Sequence, residues 1–163
     1  MDNSISRREV FGLAGALVIA PSHALGALEI QKKERSPALE PSVVKDFVGA
    51  GHGDLDKVNA MLASTPGLLN ATWDWGGGDF ETAIGGAGHM GRADIARFLI
   101  EKGARYDIFV AAMLGELATV KEILGFHPGL LNSAGPHGIS LIRHAEAGGE
   151  AAKEVLEYLK KLK

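Results

Sequence analysis

One phrase returns four times in this chain: a stretch rich in alanine or glycine that ends in glycine and is followed by an apolar helix pattern. Residues 49–53 lead into 54–62, 87–91 into 92–100, 111–115 into 116–124, and 144–149 into 150–159. Val58, Ala96 and Val120 each fall five positions after the closing glycine, and Val155 falls six after. Further apolar residues follow at i+3 and i+4, which makes one stripe on each helix. A short helix, a glycine turn and a second helix cannot bury such a stripe alone. Units recurring at this period stack on one another around a shared core, and architectures of that kind bind rather than catalyse. The reading is therefore an all-α helix-turn-helix solenoid of about four repeats, with one continuous hydrophobic seam through Val58, Ala96, Val120 and Val155.

Composition narrows the setting. The chain has 163 residues, no cysteine, 46% hydrophobic content and a formal net charge of -3. That balance gives no footing for nucleic acid or an anionic membrane surface. Without cysteine there are no disulfides and no thiolate metal ligands, so stability must come from packing.

Residues 1–27 have the form of an export signal: a cationic start, an apolar middle over 12–20, and small residues at Ser22, Ala24 and Gly26 where a peptidase could cut. Within it, Ser6-Arg7-Arg8-Glu9-Val10-Phe11 resembles the bacterial twin-arginine signal, with Arg7 and Arg8 as the arginine pair. The resemblance implies passage across the membrane in the folded state and a periplasmic or secreted protein, touching a membrane only through an uncleaved signal. Residues 28–41 read as a polar linker and 42–163 as the repeat domain.

The repeats resemble the ankyrin family, whose unit is a turn followed by two antiparallel helices. The second unit keeps Thr82, Ala87, Gly91, Ile95, Leu99, Ile100 and the closing Gly103-Ala104. The third keeps Ala111, Ala112, Gly115, Val120, Ile123 and Leu124, and the fourth Gly138, Ser140, Ile142, Ala145 and Gly149. The first keeps Ala50, Gly53, Val58, Leu62 and the ending Pro66-Gly67-Leu68-Leu69-Asn70, which recurs as Pro128-Gly129-Leu130-Leu131-Asn132. The pattern departs at Ala83, Gly85 and Arg143; the 24-residue gap leaves no room for a β-hairpin between units two and three, whereas the 38-residue gap between the first and second leaves room for a long one. What the resemblance implies is a monomeric, non-enzymatic interaction module that holds a protein partner on its concave face and hairpin tips, with no cofactor.

Residues 71–80 are the outlying loop, with both tryptophans of the chain and three consecutive glycines. Trp73, Asp74, Trp75 and Phe80 are candidate partner contacts, because large aromatics on a loop are what a binding hot spot uses. The alternative is that both tryptophans fold back over the stack. His137, in the turn Gly135-Pro136-His137-Gly138, falls on the same edge and joins the candidate set.

Three chemical readings compete with that one. Gly86, Gly88 and Gly91 have dinucleotide-binding spacing with Asp107 about 20 residues on, so residues 85–91 give an alternative small-molecule, nucleotide or enzyme site; the motif needs a buried strand before it, and residues 79–84 are too polar for one. His52 and His89 hold equivalent places beside the turn glycine, but equivalents in stacked units should lie roughly 10 Å apart, too far for one ion, so no metal site is expected. No nucleophile-histidine-acid arrangement has a local motif, and no catalytic residue is assigned.

Overall fold

A computed structural model describes residues 36–163. The export-signal reading, Arg7 and Arg8 included, lies outside the described residues. The described chain is mostly helical, with eight α-helices: α1 (Pro41–Ala50), α2 (Leu55–Ser64), α3 (Ala83–His89), α4 (Ala93–Glu101), α5 (Ile108–Leu114), α6 (Leu117–Phe126), α7 (Leu141–Ala147) and α8 (Lys153–Lys161). Each odd-numbered helix packs against the even-numbered one after it, and α1, α3, α5 and α7 pack in succession. Among these residues no helix is long and apolar enough to cross a membrane.

Local chemistry sets where the helices begin. Pro41 starts α1, where a missing N–H costs nothing. Thr82, Asp107 and Ser140 stand before α3, α5 and α7, and each side-chain oxygen accepts a hydrogen bond from a backbone N–H of the first turn. Such a cap satisfies a donor the helix leaves open and contributes about 1 kcal/mol. Both Pro-Gly-Leu-Leu-Asn segments form a 3-10 turn, at Pro66–Asn70 and Pro128–Asn132.

Val58, Ala96, Val120 and Val155 are all fully buried. They do not share one seam, however. Val58 and Ala96 belong to a core with Phe47, Leu68, Ile95 and Leu99, whereas Val120 and Val155 belong to a second with Leu124, Leu141, Ala145 and Leu159. Helix α5, buried along its whole length, feeds both: Val110, Met113 and Leu114 face the first, and Ile108, Phe109, Ala111 and Ala112 the second. Complete burial of each large apolar side chain contributes about 1.5–3 kcal/mol. The split falls at α5, which is buried at every residue and lies between the two clusters.

Helix α7 reaches past α5 and touches α3. Gly91, just beyond α3, has φ 70, and a Cβ there would run into the Ala147 carbonyl oxygen at the end of α7. Only glycine fits a left-handed turn against another backbone.

Between the first two helix pairs the chain makes an antiparallel hairpin, β1 (Thr72–Asp74) with β2 (Phe80–Thr82), in the interval where the spacing leaves room for one. Between the last two pairs the counterpart is a single bridge, Ala134 to Ser140.

Candidate metal centre

The hairpin register decides which side chains turn inward. Trp73 lies opposite Glu81, so the two share a face, and Trp75 continues that face just beyond β1. Phe80 points the other way and is 62% exposed. The tip is built rather than loose. Asp74 Oδ1 accepts from the N–H groups of Gly76 and Gly78 at 2.8 and 3.1 Å, and the Trp75 N–H donates to the Asp79 carbonyl at 2.9 Å. Gly76, Gly77 and Gly78 all have positive φ, as three glycines permit.

Inward of the tip, Glu81 is buried, and three imidazoles converge on its carboxylate. His89, the last residue of α3, sets Nε2 2.9 Å from Oε1. His52, in the turn after α1, sets Nε2 3.3 Å from Oε2; His137, in the turn before α7, sets Nε2 3.4 Å from the same oxygen. The Trp75 Nε1–H donates to Oε2 at 2.7 Å. Ligand atoms of His52, Glu81, His89 and His137 all lie within 4.8 Å of one another.

Each ring is held from behind. His52 Nδ1 lies 3.2 Å from the carbonyl oxygens of Val48 and Gly49, which can only accept, so Nδ1 carries the proton. Its turn is pinned further by Arg92, whose guanidinium donates to the Gly53 carbonyl and pairs with Asp94. His137 Nδ1 lies 2.7 Å from Asp79 Oδ2, while the His137 backbone N–H donates to Asp79 Oδ1 at 2.8 Å. Those hydrogen bonds, the backbone one first, hold the Asp79 carboxyl below its ordinary value, so it accepts and Nδ1–H donates. They also hold His137 at φ 57, a left-handed conformation uncommon outside glycine.

Burial works to raise the Glu81 carboxyl, but hydrogen bonds from His89 and Trp75 and electrostatic attraction to the His52 and His89 rings outweigh it and lower it. The group is a carboxylate. With Nδ1–H committed in His52 and His137, a neutral ring at either place would aim an Nε2 lone pair at a carboxylate oxygen. A proton on that Nε2 or a metal ion has to lie between. Separate protons on Nε2 of both would set two imidazolium rings 6.2 Å apart between centroids, on either side of the carboxylate. Two unit charges about 6 Å apart repel by about 3 kcal/mol at an effective dielectric near 20, and the carboxylate between them offsets that repulsion, so a proton on each ring or a single cation balances the charge. One divalent ion would satisfy all the donors together. A tetrahedral ion with bonds of 2.0–2.1 Å separates its ligands by about 3.3–3.4 Å; His52 and His137 stand at that spacing from Glu81, His89 is closer at 2.9 Å, and the whole set lies within 4.8 Å. Imidazoles oriented through Nδ1–H by carbonyl and carboxylate are the usual support of a metal ligand.

His144 lies outside this set. Its Nδ1–H donates to the Ser140 carbonyl at 3.0 Å, its Nε2 is buried without a partner, and its ring packs on Phe109 and edge-on to His89. Burial pushes its pKa down.

The structure corrects the expected separation of His52 and His89: the ring centroids are 4.9 Å apart, not about 10 Å. Both rings lean toward the hairpin, and His52 lies across Gly86, where a Cβ would crowd its ring. The expectation of no metal-ligating set rested on that distance. Nor does the glycine motif form a strand-to-helix turn. Gly85, Gly86 and Gly88 lie buried inside α3, Gly86 under His52 and Gly88 against Val110, which leaves them no room to cradle a phosphate.

Of the residues singled out from sequence, Trp75 and His137 stand in the cluster, and Asp74 shapes the tip. Phe80 faces away from it, and Trp73 is half-buried with the Lys45 ammonium 5.7 Å from its ring centre. Sequence reasoning missed Asp79 and Glu81 and set His52 and His89 aside. One signal was present: an acid and a histidine at the same turn edge as His137, in successive units. Comparison with protein-family models and with curated proteins finds no match.

Proposed function

We propose that the protein binds one divalent transition-metal ion through His52, Glu81, His89 and His137, on a divergent ankyrin-like solenoid of four helix pairs. The observation that carries this is the meeting of three imidazole Nε2 atoms on a buried carboxylate, with the Nδ1–H of two rings already committed elsewhere. Three nitrogens and one oxygen suit zinc, cobalt, nickel, copper or iron(II) better than magnesium or calcium. The solenoid reading is supported by the paired helices, the capped inner helices and the two 3-10 turns of identical sequence. Its role is binding, without turnover.

Calorimetric titration of the purified, chelator-treated full chain with zinc, with metal content measured after desalting, tests the reading. The expected result is a stoichiometry near one, lost in Glu81→Gln and in His89→Ala while the helical circular dichroism is kept. No retained ion in the parent chain would overturn it.

A second reading has its own support: Phe80, 62% exposed on the hairpin face turned away from the cluster, suits a protein partner of a non-enzymatic interaction module. Capture from a periplasmic extract should lose that partner on Phe80→Ser, and unchanged capture would remove the hairpin from this role. Export by a twin-arginine route is part of the same proposal; Arg7→Lys with Arg8→Lys should hold the protein in the cytoplasm.

A further inference from the structure

We infer that the ion is an end-to-end clamp, tying the first and last helix pairs to the second so that neither opens without giving up a bond to the metal; this rests on the metal centre proposed above. Four protein donors complete a tetrahedral ion, and a site closed by protein in this way contributes to folding. What it holds together depends on where the donors are fixed.

The donors come from three separate parts of the chain. Glu81 in β2 and His89 at the end of α3 anchor the site on the second helix pair. His52 is in the turn after α1, between the helices of the first pair, and His137 is in the turn before α7, at the start of the last. The third pair, α5 with α6, supplies none.

The last pair is otherwise joined to the first two by little that is polar. Helices α1–α4 contribute buried residues to the first core and α7 and α8 to the second, with α5 feeding both. Among the described residues, Tyr106 with Glu116 spans the two ends of α5, and every other hydrogen bond or ion pair joining a residue before α5 to one after it is made by His137, to Asp79 and Glu81. The one residue that carries polar contact across the divide is also a metal ligand.

Stacked helix pairs open most readily at the ends, where each has a single neighbour. In the metal-free chain, release of α7 and α8 costs their packing and the His137–Asp79 contact. With the ion in place it also costs the bond from His137 to the metal, and release of α1 and α2 costs the bond from His52. At zinc one hundred times its dissociation constant, an opening that expels the ion becomes about 100-fold rarer.

Hydrogen exchange read by mass spectrometry on the full chain, first chelator-treated and then with zinc added, tests the clamp. The readout is exchange in α2 and α8, since neither helix carries a ligand. Zinc should slow both by about 10 to 100-fold, the upper figure being the limit in which the ion leaves at every opening. His137→Ala should abolish the slowing in α8 and keep it in α2, and His52→Ala should do the reverse, each variant saturated with zinc and compared with its own metal-free form. Zinc retained by the parent chain with exchange in α8 unchanged would overturn the clamp and leave the metal centre standing. Loss of the slowing in both helices in either variant would overturn the separate tethering of the two ends. No zinc retained by the parent would overturn clamp and metal centre together.

Discussion

The two Pro-Gly-Leu-Leu-Asn segments begin alike and end differently. Both fold as a five-residue 3-10 turn after an outer helix. After Asn70 the chain makes a two-stranded hairpin carrying Trp75, Asp79 and Glu81; after Asn132 it makes one bridge and a tight turn carrying His137. The products meet at Asp79 and His137, 58 residues apart in sequence. Identical local sequence gives identical local structure. The site comes from the unequal segments that follow, brought together where α7 touches α3.

Breaking the longer insertion at its buried acid should have the largest effect. Glu81→Gln removes the charge on which three imidazoles converge, so ion retention should fall below detection. The parent chain at a metal concentration one hundred times its dissociation constant should gain about 2.7 kcal/mol of stability. The variant should gain none, read as the difference between urea midpoints with and without metal.

Cutting the link between the two insertions comes next. Asp79→Ala releases the His137 ring and its left-handed backbone, and loss of such a supporting partner lowers metal affinity by about 10 to 100-fold. Calorimetric titration should show that loss with stoichiometry unchanged. An affinity equal to the parent's would mean that the two insertions are coupled through packing and not through this ion pair.

Gly86→Ala sharpens the comparison without touching a ligand. Alanine favours a helix interior over glycine by about 0.8–1.0 kcal/mol, yet the new Cβ would crowd the His52 ring. Metal affinity should drop several-fold while the metal-free urea midpoint moves by less than about 1 kcal/mol. An unchanged affinity would show that the His52 ring has slack the packing does not suggest.

The smallest expected effect concerns His144, on the shorter insertion's side. Its folded-state pKa is pushed down by burial, so the unfolded chain takes up this proton first as pH falls. Its contribution is present above about 6.5, the unfolded value, and is lost as pH falls toward the folded one. The slope is at most about 1.4 kcal/mol per pH unit. In His144→Leu, the fall in the metal-free urea midpoint between pH 7.5 and pH 5.5 should be shallower than in the parent. An equal fall would assign the acid sensitivity elsewhere.

Much of the helical layout was legible because it depends on neighbours in sequence. The stripes through Val58, Ala96, Val120 and Val155 mark the outer helices, all four anchors are buried, and the 38-residue interval between the first two anchors did contain the hairpin. The candidate site was legible only in its outline. Trp75 and His137 stood out as an aromatic on a loop and a histidine in a turn of the same edge. Glu81 did not, because a lone acid between Phe80 and Thr82 looks like an exposed strand residue until the register turns it inward. His52 and His89 were set aside on a spacing argument that treated side chains as if they followed the stack axis, when both lean across it toward the hairpin.

By itself, then, the sequence determined the elements: periodic apolar residues, capping side chains and turn glycines act over a few residues, where the chain's own geometry is enough. Tertiary structure alone decided that α5 divides the core in two and that α7 touches α3. It also decided that one carboxylate and three imidazoles, distant along the chain, share a space a few ångströms across. The physical reason is that a cluster of this kind depends on how whole units lean on one another, and that is set by the lengths of the segments between them rather than by any motif the ligands carry.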